Sequence, residues 1–247
     1  MANLTKDTFT DTAGVSLDSH TPDTGAIWVF AGLSDSFRIS DSEAAAYAES
    51  IGAGAATSDV NPTNYTVSVT IDTANFHVIT QQAGVVARFS GQPSGGYRAV
   101  VHYDGTNFQV KLIRTDDSID TTLVTSSNIS TGSGIISLQV NGTKIGPVKW
   151  KGSQVIAQQT DATYIGGEPG ISSNFFTSSL IDFFDNYLVV GTGTVVAPKP
   201  KRVKVRLFEH HKTKAHRLLL YAPKWVPRQA PVVGGATRRF LTTLGVS

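Results

Sequence analysis

The chain has 247 residues and 26.3 kDa, enough for one large domain or one domain with an appendage. Hydrophobic residues make up 40% and charged residues 16%, and the apolar ones fall in short β-branched segments between Gly, Thr, Ser, Asn and Asp, which excludes a helical bundle, a coiled coil and a fully disordered chain. No run approaches the roughly 20 apolar residues of a membrane-spanning helix. The absence of cysteine excludes disulfides, thiolate zinc sites and cysteine catalysis.

In chain order, the opening Met1-Ala2-Asn3-Leu4-Thr5-Lys6-Asp7 lacks the apolar stretch of a secretory signal. Residues 41–50, rich in alanine with Ser42 as a cap, predict a short helix. From there on strict alternation predicts antiparallel strands. Tyr65, Val67, Val69 and Ile71 alternate with Thr66, Ser68 and Thr70, and 85–90 continues the pattern. Tyr97, Ala99, Val101 and Tyr103 alternate with Arg98, Val100 and His102. The turn Asp104-Gly105-Thr106-Asn107 then joins them to Phe108, Val110 and Leu112, which alternate with Gln109, Lys111 and Ile113. Further strands are predicted at 121–125, 135–140, 148–151, 154–158 and 180–190. About a dozen short strands separated by turns predict a two-sheet sandwich or a barrel.

The body ends near Gly191-Thr192-Gly193-Thr194, and residues 195–201 read as a stiff, proline-punctuated linker. The formal net charge of +2 conceals a division. From Pro198 to Ser247 there are twelve Lys or Arg against one acid, Glu209, so this segment carries +11 and the remaining 197 residues −9. Such asymmetry marks a basic arm for a polyanion or for an acidic partner surface. The arm also has apolar anchors: Val203, Val205 and Leu207 alternate with Lys204, Arg206 and Phe208 as an added strand would, and 218–221, Trp225 and Phe240 follow. Pro223, Pro227 and Pro231 exclude a long helix there.

Asp7-Thr8-Phe9-Thr10-Asp11-Thr12-Ala13-Gly14-Val15-Ser16-Leu17, with His20, Pro22-Asp23, Gly25 and Trp28, resembles the opening of concanavalin A-like, laminin-G-like jelly-roll domains of phage structural and bacterial surface proteins. Residues 85–89, Gly96-Tyr97-Arg98, 135–141 before Gly142, 166–171 and 185–189 are similar too, so the resemblance covers about residues 5 to 190. It implies two curved antiparallel sheets whose concave face binds glycans, and an extended chain near Ala45 in place of the helix. The catalytic relatives carry two Glu flanking an Asp on one strand, which has no counterpart here, where Glu occurs only at 43, 49, 168 and 209.

The residues offer little chemistry. Asp182 and Asp185 are the nearest approach to a glycosidase pair, but three residues apart on a strand puts them on opposite faces. Asp104 with Asn107, and Asp116, Asp117 and Asp120, have the oxygens for calcium without a calcium-loop spacing, and read as turn acids. His210, His211 and His216 lack the spacing of a zinc helix. No Gly-x-Ser-x-Gly elbow occurs, and 91–96 and 132–134 read as hairpin loops. Exposed aromatics that could stack on a glycan are Tyr97, Tyr103, Trp150 and Tyr164, with core packing as their alternative, while Trp28 reads as core.

The expectation is therefore an all-β, two-sheet jelly-roll sandwich over residues 1–196 and a basic anchoring arm over 197–247, without catalysis, cofactor or metal. Lys199, Lys201, Arg202, Lys204, Arg206, Lys212, Lys214 and Arg217 would grip neighbouring subunits by charge and strand addition. By resemblance the assembly is a phage virion, built in the host cytoplasm without a secretion signal, with the jelly roll displayed towards host glycans. The alternatives are a stand-alone carbohydrate-binding module, and a protein that meets nucleic acid through its arm. No membrane partner is expected.

Overall fold

The computed structural model describes residues 2–24, 27–32, 37–40, 46–48, 52–76, 78–90, 95–117, 119–175 and 184–191. The chain divides into two units, Met1–Pro200 and Lys201–Ser247, and every described residue belongs to the first. The arm residues from Lys199 to Arg217 and the strand expected at 203–208 lie outside the described residues, as do 180–183 and Asp182 within them.

Among the described residues sixteen strands follow one another: β1 (Ala2–Asp7), β2 (Trp28–Gly32), β3 (Phe37–Ile39), β4 (Ala46–Ala48), β5 (Gly52–Ser58), β6 (Tyr65–Ile71), β7 (Gln82–Ser90), β8 (Gly95–Tyr103), β9 (Phe108–Asp116), β10 (Ile119–Ile129), β11 (Gly134–Asn141), β12 (Lys144–Trp150), β13 (Ser153–Ile156), β14 (Gln159–Thr160), β15 (Glu168–Phe175) and β16 (Phe184–Gly191). They form two antiparallel sheets. The first runs β13-β12-β11-β6-β16-β4-β3, with β1 beside β16 and β14 beside β12; the second runs β10-β9-β8-β7-β15-β5-β2. The protein is an all-β jelly-roll sandwich. The predicted helix at 41–50 is corrected: Ala46–Ala48 is strand β4, because pairing with Ile39 and Phe184 outweighs the helix preference of isolated alanines.

The core lies between the inner faces, and period-2 alternation decides which side chains enter it. In β6, Tyr65, Val67, Val69 and Ile71 are fully buried while the residues between them are half-buried. Opposite them Ala83, Val85 and Ala87 of β7, Tyr97, Ala99 and Val101 of β8, and Val110 and Leu112 of β9 point inward. Full burial of each large aliphatic side chain stabilises by roughly 1.5–3 kcal/mol.

Two devices hold the sandwich closed. The first is Asp7, itself fully buried: its carboxylate accepts from the Phe9 amide at 2.7 Å, His20 Nε2 at 2.9 Å and Trp28 Nε1 at 2.6 Å. Trp28 stacks against Phe9 and tilts against Tyr187, at centroid distances of 5.8 and 4.7 Å. This ties β1 to the core where it pairs with β16, in a register that runs from Asp7 opposite Tyr187 to Ala2 opposite Gly191. The second is a bulge in β7, where Arg88 takes a positive φ of 53° and turns its side chain into the interior. Its guanidinium donates to the carbonyls of Tyr164 and Thr63, and its amide to the Tyr65 hydroxyl at 2.7 Å. Gly167, at φ +128°, passes so close that a Cβ there would meet the Arg88 carbonyl carbon at 2.4 Å.

Candidate functional site

Alternation that sends Tyr97, Ala99 and Val101 inward sends Arg98, Val100 and His102 to the outer face of the seven-stranded sheet. The strand register turns this into rows. Gly170, Val86, Arg98 and Ile113 are successive partners across β15, β7, β8 and β9. The next row is Ser172, Gly84, Val100, Lys111 and Thr125 of β10. A third is Asn174, Gln82, His102, Gln109 and Asn128, five polar side chains from five adjacent strands.

Burial grades across this face. Val86 and Val100 are fully covered and Arg98 and His102 each 5% exposed, whereas Gln82, Gln109, Lys111 and Asn174 are half-buried and Thr125 and Asn128 exposed. The open portion therefore follows β9, β10 and the third row. Within that row Gln82 Nε2 lies 3.4 Å from His102 Nδ1, and Gln109 Nε2 donates to Asn128 Oδ1 at 3.4 Å. The carbonyl oxygen of Gln82 is buried without a partner. Arg98 pairs with Asp120 through Nη2 and reaches Ser172 Oγ at 3.5 Å through Nη1, but its Nε is buried and unpartnered. Burial, and then the nearby Lys111 charge, push His102 below the ordinary histidine value. Burial also lowers Lys111, with Asp104 opposing.

Side-chain amides offer a donor and an acceptor side by side, and a row of them matches adjacent hydroxyls of a sugar. Acid–base hydrolysis has no such support on this face. Its strand-borne carboxylates, Asp120 of β10 and Glu168 of β15, stand four strands apart, roughly 19 Å at 4.8 Å per strand. A glycosidase pair sits roughly 5 to 9.5 Å apart.

The aromatics considered for stacking lie elsewhere. Tyr97 is fully buried on the inner face, its hydroxyl donating to Asp161 Oδ1 at 2.9 Å, and Trp150 is 2% exposed with Nε1 donating to the Ser130 carbonyl. Tyr103 is half-buried, stacked on Phe108 at 4.8 Å and donating to the Gly105 carbonyl. Tyr164 donates to Asp116 and meets Tyr97 edge-on. Tyr97 and Trp150 thus take the core-packing alternative, while Tyr103 packs on Phe108 and stays partly exposed. The turn acids are likewise engaged: Asp104 accepts from the amides of Thr106 and Asn107, Asp116 pairs with Arg114, and Asp120 with Arg98. Among the described residues no group of three or more His, Asp or Glu could hold a metal ion. Sequence reasoning passed over Arg98, His102, Gln109 and Lys111, although their place opposite the apolar positions of the 97–113 hairpin was the signal.

No known protein family matches the chain, and neither does any curated protein. Among solved structures, it is similar to the carbohydrate-binding module CBM66 from Bacillus subtilis, with TM-score 0.48 and 13% identity over 58% of this chain and 85% of that one. It is also similar to a β-1,3-glucanase from Mycobacterium marinum, with TM-score 0.48 and 11% identity over 77% of this chain and 99% of that one. A legume lectin-like domain from Entamoeba histolytica gives TM-score 0.43 and 10% identity over 67% and 90%.

Proposed function

We propose that the sandwich is a non-catalytic glycan-binding domain, displayed on a larger assembly to which the segment 197–247 anchors it. The observation that carries the binding half is the row Asn174, Gln82, His102, Gln109 and Asn128 across five strands of one face. A continuous band of amides and imidazole, with a buried Gln82 oxygen lacking a partner, is costly to leave unmatched and suits a polyhydroxylated ligand. The test is a glycan array probed with the full chain and with Gln109→Ala, whose half-buried side chain can be removed without opening the core. Binding that falls at least tenfold in the variant supports the reading, and an array on which the full chain binds nothing overturns it.

The anchoring half rests on charge. The arm's +11 contrasts with the body's −9, so Lys199, Lys201, Arg202, Lys204, Arg206, Lys212, Lys214 and Arg217 can meet the acidic surface of a neighbouring subunit. Val203, Val205 and Leu207 suit strand addition. The resemblance to phage structural domains makes a virion the assembly to examine. Deleting 198–247 should abolish incorporation, and a truncated chain that still assembles at normal occupancy refutes anchoring. The same +11 favours a second reading, nucleic-acid contact, which predicts an affinity for DNA or RNA that falls steeply with salt and vanishes with the arm.

A further inference from the structure

The outer face carries a charge pattern that narrows the class of ligand; the inference rests on the glycan-binding reading above. Lys111 of β9 is the direct partner of Val100, and Arg98 and His102 stand two residues to either side of that position on β8. Diagonal neighbours across an antiparallel pair have Cα atoms about 7–8 Å apart, within reach of long side chains. Lys111 thus sits between two other nitrogen bases, although the body around them is strongly acidic.

Their donors are not used up. Arg98 gives Nη2 to Asp120, which also accepts from Thr115 Oγ1 at 2.8 Å, and this leaves the Arg98 Nε buried with no acceptor. No carboxylate lies within ion-pair distance of Lys111 among the described residues, and Asp104 acts on it only from farther off. An unmatched Lys111 ammonium thus stands on the open part of the face, one register step from a row of amides. A ligand that satisfies all of them has a negative group at one end and hydroxyls along the rest.

We propose that this face binds an acidic sugar through its carboxylate, a uronate- or sialate-type residue, with Lys111 holding the anion and Gln82 and Gln109 holding neighbouring hydroxyls. Lys111 is half-buried and lies outside the core, so it can be changed without disturbing the fold.

The experiment is calorimetric titration of the full chain with galacturonate, glucuronate and sialate oligosaccharides, each beside its methyl ester, which keeps the ring and removes the charge. Sulfated oligosaccharides form a third arm. At least one acid should bind tenfold or more tightly than its ester at low salt, with the advantage shrinking at 0.5 M salt. Lys111→Gln should remove that preference, so that acid and ester bind alike. Lys149→Gln, on the opposite sheet, should change neither. Esters that bind as well as acids, a preference that survives Lys111→Gln, or sulfate esters preferred to carboxylates would each overturn the proposal while leaving glycan binding standing. A chain that binds none of these sugars and no neutral glycan overturns both.

Discussion

Removing the Asp7 carboxylate tests how the N-terminal strand is held. Asp7→Ala leaves three donors facing a void: the Phe9 amide, His20 Nε2 and Trp28 Nε1. Trp28 is 1% exposed and Phe9 fully buried, so water cannot replace the lost acceptor without opening the fold. Each unsatisfied buried donor costs about 1–3 kcal/mol. His20 keeps Asp11 on its other nitrogen and lies at the low end, which puts the total at about 4–6 kcal/mol. That is a large share of the 5–15 kcal/mol typical of a whole domain, and lowers Tm by about 8–24 °C at this size. Asp7→Asn is the sharper variant. Its carbonyl can still serve the Phe9 amide and His20, but its NH2 then confronts the Trp28 N–H, so it should cost about 2 kcal/mol. Adding Trp28→Phe to Asp7→Asn removes the clashing donor, and the pair should cost less than the sum of the two single changes. Urea unfolding followed by tryptophan fluorescence measures all of these. A loss below about 1 kcal/mol for Asp7→Ala would refute the idea that this carboxylate locks β1.

His20 should make stability depend on pH. Burial alone would depress it, but hydrogen bonds to Asp7 and Asp11 outweigh burial and the net shift is upward. A raised value means its contribution is complete below the unfolded value near 6.5 and fades as pH rises through the folded one. His102, shifted down, works in the opposite direction, so the quantity to follow is the stability gap between the native chain and His20→Gln. That gap should be widest below about pH 6.5 and narrow as pH rises above it, and a gap independent of pH contradicts the assignment. Gly167→Ala should cost about 3 kcal/mol, combining a backbone angle that only glycine tolerates with a 2.4 Å approach to the Arg88 backbone. A Tm unchanged to within about 2 °C would mean the bulge yields.

The strands legible in the sequence are those whose own alternation and turns suffice. Residues 65–71, 97–103 and 108–113 became β6, β8 and β9, joined by a turn whose Asp104 carboxylate accepts the two amides that follow. The strands that stayed hidden depend on partners distant in sequence. Gly-Ala-Gly-Ala-Ala-Thr-Ser of β5 has almost no β-branched residue, and is a strand because β2 and β15 flank it. The same limit applied to the site. Arg98, His102, Gln109 and Lys111 could be placed on one face by alternation alone, and that alternation already assigned Tyr97 to the core with Val101. Gln82, Asn128 and Asn174 join them only through the register of β7, β10 and β15, which no local pattern encodes.

The pairing of Ala2 with Gly191 has an engineering consequence. Register partners in an antiparallel ladder lie about 5 Å apart, so a bridge of a few glycines can join these two points without bending either strand. New ends can then be opened between Asp104 and Asn107, in an exposed turn whose flanking strands hold each other in register. The resulting circular permutant should keep every strand pair in both sheets. By the same geometry the sandwich can be grafted as a closed cassette into a surface loop of another protein, with both junctions at one point and its amide-lined face still carried by β7 to β10 and β15.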